Sequence, residues 1–93
     1  MLINRRTFIA KQGKTAEVIS MLTGGRGPDR VTRVYGPHYG RFNVVAFEME
    51  FASMEDMERV WAEWFATPEA ATFMSRWVEI TESGGTNEIW TLE

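Results

Sequence analysis

The side chains able to do acid–base or anion chemistry are few, and most lie in the first half of the chain. His38 sits in Gly36-Pro37-His38-Tyr39-Gly40, with Tyr35 just before it. An imidazole titrates near neutrality and can serve as a general base, and the phenols of Tyr35 and Tyr39 can donate hydrogen bonds to a substrate. Arg6 can bind an anionic or enolate oxygen, or pair with Glu48 across a sheet. His38, Arg6 and Tyr35 are therefore the candidate catalytic residues. Asn4, Tyr39, Phe42, Glu48, Trp61 and Trp64 are suited to holding a ligand, the indoles by a flat apolar face with one N–H at its edge. Each has a plainer role beside the chemical one. His38 can be a polar turn residue, the tyrosines can pack at a hairpin edge, and tryptophans at helical spacing are first of all core.

Several chemistries are excluded or disfavoured. There is no cysteine and one histidine, so disulfides, thiolate metal sites and a cysteine nucleophile are out. No protein-built metal centre and no cofactor is expected. A net charge of −3 and a pI near 5.2 give no basic footprint for nucleic acid or anionic lipid. Gly24-Gly25-Arg26-Gly27 looks like a phosphate loop but follows a helical stretch and lacks Gly-Lys-Ser/Thr. No run approaches the ~18 apolar residues of a membrane span, and Met1-Leu2-Ile3-Asn4-Arg5-Arg6 has no signal-peptide core. A cytoplasmic protein without a membrane partner is the expectation. Glu55, Asp56, Glu58 and Glu63 fall on helix surfaces and solvate them.

The elements that must position these groups form one domain over residues 1–93. Residues 2–10 read as a strand ending at Lys11-Gln12-Gly13. Residues 14–23 set Ala16, Ile19 and Leu22 on one helical face, and Gly24-Gly25 stops that helix before the loop Arg26-Gly27-Pro28-Asp29. Residues 30–35 are β-branched and alternating. They pair through the Gly36–Gly40 turn with a strand over 42–51, whose odd positions Val45, Phe47, Met49 and Phe51 are all apolar. Ser53 and Asp56 start a second helix with Met57, Val60, Trp61, Trp64 and Phe65 at three-four spacing. Thr67-Pro68 restarts it, with Phe73, Met74, Trp77, Val78 and Ile80 continuing the stripe. Ser83-Gly84-Gly85 is expected to end it, and 87–92 to be a last strand. The order is βαββαβ, an α+β ferredoxin-like fold with an antiparallel sheet covered on one face by two helices.

Twelve aromatics and six methionines are a heavy apolar load for a chain of 93 residues, which buries only roughly 60–65% of its surface on folding. The even face of the long strand carries Phe42, Val44 and Ala46 and then Glu48 and Glu50. A face half apolar and half charged is best covered by a second copy, sheet to sheet. That arrangement makes a homodimer and places a ligand cavity on this face.

Strings along nearly the whole chain resemble one protein group. Asn4-Arg5-Arg6-Thr7-Phe8-Ile9-Ala10-Lys11-Gln12-Gly13-Lys14 is similar to the opening strand and turn of the NIPSNAP-type dimeric α/β-barrel proteins. Arg33-Val34-Tyr35-Gly36 with Val44 onward to Ser53 resembles their central hairpin. Trp64-Phe65-Ala66-Thr67-Pro68-Glu69, Trp77, Glu82-Ser83-Gly84 and Glu88-Ile89-Trp90 resemble their second helix and closing strand. The resemblance implies a homodimer with a pocket in each half. The wider superfamily contains cofactor-free antibiotic-biosynthesis monooxygenases, heme-degrading enzymes and small isomerases or cyclases. Heme-degrading members need a histidine on the second helix, where this chain has Ala70-Ala71-Thr72-Phe73-Met74-Ser75, and only Asn4 is a candidate for their pocket asparagine. The function expected is thus a cofactor-independent oxygenase or isomerase acting on an aromatic or polyketide-like molecule. The alternative is a non-catalytic ligand-binding or stress-associated dimer. An RNA-recognition module, which shares the βαββαβ order, is disfavoured. The stretch Arg41–Phe47 has Val44 where a second stacking aromatic belongs, and the first strand has no matching aromatic motif.

Overall fold

The computed structural model describes residues 1–24 and 32–93. Its elements are β1 (Leu2–Ala10), α1 (Thr15–Gly24), β2 (Thr32–Tyr35), β3 (Val44–Phe51), α2 (Met54–Phe65), α3 (Pro68–Ile80) and β4 (Thr81–Thr91). The strands make one sheet in the order β2-β3-β1-β4 with every neighbour antiparallel. This is the ferredoxin-like α+β architecture, with the second helical stretch built as two helices. No helix among the described residues is long and apolar enough to cross a membrane.

Capping chemistry fixes both helix starts. The Ser53 hydroxyl accepts from the Asp56 N–H at 3.1 Å, and the Asp56 carboxylate accepts from the Ala52 N–H at 3.1 Å. One donor left free by the first turn of α2 is thereby satisfied, and the Asp56 carboxylate ties down the chain just before the cap. At the break between α2 and α3, Thr67 Oγ1 donates to the Trp64 carbonyl at 2.6 Å and accepts from the Ala70 N–H at 3.3 Å. Pro68 occupies the first helical position, where a missing N–H costs nothing.

Period-two alternation turns Val45 and Phe47 of β3 toward the helices, where they pack with Ala10, Val18, Leu22, Trp77 and Ile80. Val18, Val45 and Ile80 are wholly excluded from solvent.

Two boundaries differ from those expected. The long strand starts at Val44 instead of 42, because Asn43 adopts a positive φ of 64° that breaks the extended run. Asn43 is held there by its neighbours: its carbonyl accepts from the Ala10 N–H at 2.8 Å, and its side chain accepts from Thr15 Oγ1 at 3.1 Å. Phe42 is left in the turn and is 92% exposed. The second difference concerns Ser83-Gly84-Gly85, which lies inside β4 and does not end a helix. The helix stops at Ile80, and Thr81 is already extended. Between the pairs Thr7↔Thr86 and Ile9↔Glu82, one residue of β1 faces three of β4, so the glycines form a bulge. Gly24 ends α1 as expected. Gly25, the loop expected over 26–29 and the start of the strand expected over 30–35 lie outside the described residues.

A candidate ligand cavity between the sheet and the second helical pair

The register of β1 decides which of its side chains meet the helices. Arg5 is the partner of Glu48, and Arg6 the partner of Phe47. Directly opposed residues share a face, so Asn4, Arg6 and Phe8 join Met49, Phe47 and Val45 on the helix side. Ile3, Arg5, Thr7 and Ile9 point the other way. The Arg6–Glu48 pair considered from the sequence therefore does not form, because the two residues lie on opposite faces.

Helix α2 is amphipathic, yet it buries none of its twelve residues. Its apolar side touches the sheet at Trp61 but does not fill the space beneath it. Instead it roofs a cavity of about 570 Å³ walled by Phe8, Phe47 and Met49 from the sheet, Trp61 and Trp64 from α2, and Phe73 and Trp77 from α3. The rings lean on one another in sequence. Trp61 meets Trp64 edge-on at 6.3 Å, Trp64 meets Phe73 edge-on at 5.4 Å, Phe73 stacks on Trp77 at 5.2 Å, and Trp77 meets Phe8 edge-on at 4.9 Å. Edge-to-face pairs of this kind restrict each ring's rotation, so the wall keeps its shape.

Arg6 brings the charge. Its guanidinium carbon lies 4.1 Å from the centre of the Trp61 ring, a cation–π placement. Its Nε–H donates to Asn4 Oδ1 at 3.2 Å. No carboxylate among the described residues pairs with it. Burial without a counter-ion lowers its pKa from the ordinary value. Asn4 is 1% exposed, and its Nδ2 donates to Asn87 Oδ1 at 2.8 Å and to the Glu88 carbonyl at 3.0 Å. The Trp61 indole N–H is buried with no acceptor among the described residues, a state that costs about 1–3 kcal/mol. At the rim, Arg59 is engaged by Asp56 at 2.7 Å and Glu63 at 3.1 Å. The enclosure can hold a flat apolar molecule and set one negatively charged oxygen against Arg6.

Other candidates from the sequence lie elsewhere. Glu48 is on the open sheet face, where its carboxylate accepts from Arg5 at 3.1 Å, Arg33 at 3.1 Å and the Tyr35 hydroxyl at 2.9 Å. Burial alone would raise its pKa, but the hydrogen bonds from Arg33 and Tyr35 outweigh this and hold it below the ordinary carboxylate range. Arg33 also reaches Glu50 at 2.8 Å, and bonds to Glu50 and Glu48 raise its pKa. His38 and Tyr39 sit in the exposed β2–β3 connection with their rings edge-on at 4.8 Å, and Tyr39 is 94% exposed. Neither lines the cavity, nor do Tyr35 and Phe42. Of the candidates, the structure brings together Arg6, Trp61 and Trp64, with Asn4 behind Arg6.

A ligand cavity was expected on the even face of β3, between two sheets. That cavity requires the second copy; within one chain the structure has a partly open pocket on the opposite face. The open face has a second, shallower concavity, lined by Arg5, Arg33 and Glu48 among others, whose charges neutralise one another. Phe8 and Phe73 were missed as cavity walls: Phe8 lies on a strand whose two faces are equally mixed, and a stripe at helical spacing such as the one holding Phe73 gives the same pattern over a packed core as over an open space.

No protein-family model matches the chain, and no curated protein does. Solved structures do. An uncharacterized NIPSNAP domain protein from Burkholderia xenovorans superposes with a TM-score of 0.85 at 19% identity, covering 100% of this chain and 95% of that one. A protein from Agrobacterium tumefaciens gives 0.77 at 20% identity, covering 98% and 92%. A hypothetical protein from Pyrococcus horikoshii gives 0.56 at 20% identity, covering 100% and 93%. At these identities the likeness establishes a shared fold. The ferredoxin-like α+β fold expected from the sequence is the one this chain has, and it is shared with that NIPSNAP domain protein.

Proposed function

We propose that the chain is a small homodimeric barrel protein whose cavity takes an aromatic or polyketide-like molecule, with Arg6 holding an oxygen that carries or develops negative charge. The observation that supports this is Arg6 itself, a guanidinium without a carboxylate partner among the described residues, set in a wall of rings. A unit charge about 4 Å from such an oxygen contributes on the order of 4 kcal/mol at an effective dielectric of 20. That is a shift of about three pKa units toward the enolate. The chemistry served is isomerisation through an enolate, or oxygenation without a cofactor. In the second case a deprotonated anthrone-type carbon combines with dioxygen, and the resulting peroxide expels water to leave a quinone carbonyl. The open sheet face, where Trp90 is 57% exposed opposite Ile3, is the surface a second copy would cover.

One observation favours binding without turnover. No histidine or tyrosine lines the cavity among the described residues, and the carboxylate that does, Glu63, is engaged by Arg59 at 3.1 Å, so the base would have to be that rim carboxylate, the substrate's own group or water. Turnover separates the two readings. Oxygen uptake with a hydroxyanthrone, above the spontaneous rate, is expected in the native protein and should fall about 100-fold in Arg6→Met, the scale of losing one oxyanion donor. His38→Ala should leave it unchanged. Thermal stabilisation by the anthrone without any oxygen uptake would establish the binding-only reading. A monomer in sedimentation at micromolar concentration would remove the dimer.

A further inference from the structure

Arg5 and Arg33 on the open face are both paired with carboxylates, yet Arg6 is held by an amide. The difference matters physically. A carboxylate at position 4 would take the same Nε–H and cancel the charge, leaving a buried ion pair with nothing to offer a ligand. A neutral amide oxygen takes the Nε–H, fixes the plane of the guanidinium and leaves its charge intact. With Nε occupied and the ring of Trp61 under the guanidinium, the two Nη groups have no protein acceptor among the described residues. Asn4 cannot easily turn away, since both its Nδ2 hydrogens are committed to Asn87 and to the Glu88 carbonyl.

Resting on the reading of the cavity as a small-molecule site, we infer that Asn4 is a positioning residue that makes the site selective for monoanions. It aims the Nη pair of Arg6 at a single carboxylate, sulfonate or enolate group on an otherwise apolar ligand. Asn87 secures Asn4 from the neighbouring strand. The substrate class is therefore a flat hydrocarbon skeleton with one anionic head, and a neutral analogue of the same shape binds more weakly.

Two dyes of nearly identical skeleton test this: anilinonaphthalene sulfonate, which is anionic, and phenylnaphthylamine, which lacks the sulfonate. Fluorescence titration of the native protein should show the anion bound at least about tenfold more tightly. In Asn4→Asp that preference should vanish while affinity for the neutral dye stays within about twofold, with folding checked by thermal melting. Arg6→Lys is the second variant and serves if Asn4→Asp does not fold. It keeps the charge but has no Nε–H for Asn4 to hold, and it should lose most of the preference. A native protein that binds both dyes equally overturns the inference and leaves the cavity standing. So does an anion preference that survives both variants, or a variant that weakens both dyes alike, which would make Asn4 merely structural. Failure to bind either dye defeats the cavity reading itself.

Discussion

Gly85→Ala is expected to destabilise the protein by about 3 kcal/mol or more, a large share of the 5–15 kcal/mol that holds a domain of this size together. Two independent terms add at this position. The backbone has a φ of +85°, and a Cβ built there would lie 2.1 Å from the Thr7 carbonyl oxygen. The left-handed conformation alone costs a non-glycine residue about 1–2 kcal/mol. The clash is with backbone, so no rotamer relieves it, and either β1 or β4 must move. Movement of β1 has a functional consequence, because the bulge lies opposite Phe8, whose ring stands edge-on to Trp77 in the cavity wall. A chain of about this length loses roughly 4–8 °C in Tm per kcal/mol. A fall of 12 °C or more in a thermal melt is thus the expected reading, with Gly24→Ala, where a Cβ meets nothing within 4 Å, as the near-neutral control. A change below about 1 kcal/mol would mean that β4 does not carry this bulge.

The same glycines show why part of the fold was legible in the sequence and part was not. The alternation of Val45, Phe47, Met49 and Phe51 is unambiguous, because one parity is wholly apolar. The caps at Ser53 and Thr67 are local chemistry, written within four residues. Gly84-Gly85 after an apolar helical stripe, however, carries the same local signal as a helix stop, and only the pairing with β1 reveals a bulge. Strand β1 is the harder case. Its two faces are equally mixed, so nothing within it says whether Arg5 or Arg6 turns toward the helices. The partner strand decides, by setting Arg5 against Glu48 and Arg6 against Phe47. Two adjacent arginines then have opposite fates. Arg5 is paired with a carboxylate at 3.1 Å and is electrostatically spent, and Arg6 meets an amide and an indole face. Long-range register thus creates the candidate site, and residue type alone could not.

The wall opposite Arg6 gives the second large effect. Trp77→Ala should cost about 3–5 kcal/mol, the range for removing a buried large aromatic. Trp77 is 8% exposed, stacks on Phe73 and receives the edge contact of Phe8. The cost should fall toward the upper end, because the indole borders an existing cavity. Its loss enlarges an opening that the aromatic frame keeps from collapsing, and the facing rings lose their partner atoms outright. Val78, the next residue, is 62% exposed, and Val78→Ala should stay within about 0.5 kcal/mol. The enlarged space has a defined chemistry, apolar and ring-lined, so free indole should return part of the lost stability by binding the folded state alone. At a hundred times its dissociation constant that return is about 2.7 kcal/mol. Denaturant titration of the variant with and without indole measures both quantities. If the loss is under about 1.5 kcal/mol, or if indole stabilises the variant no more than it stabilises the native chain, Trp77 does not form the floor of an enclosed site. If both hold, the cavity is an aromatic-binding space whose shape the helices maintain, and Arg6 is left as the group that tells one aromatic ligand from another.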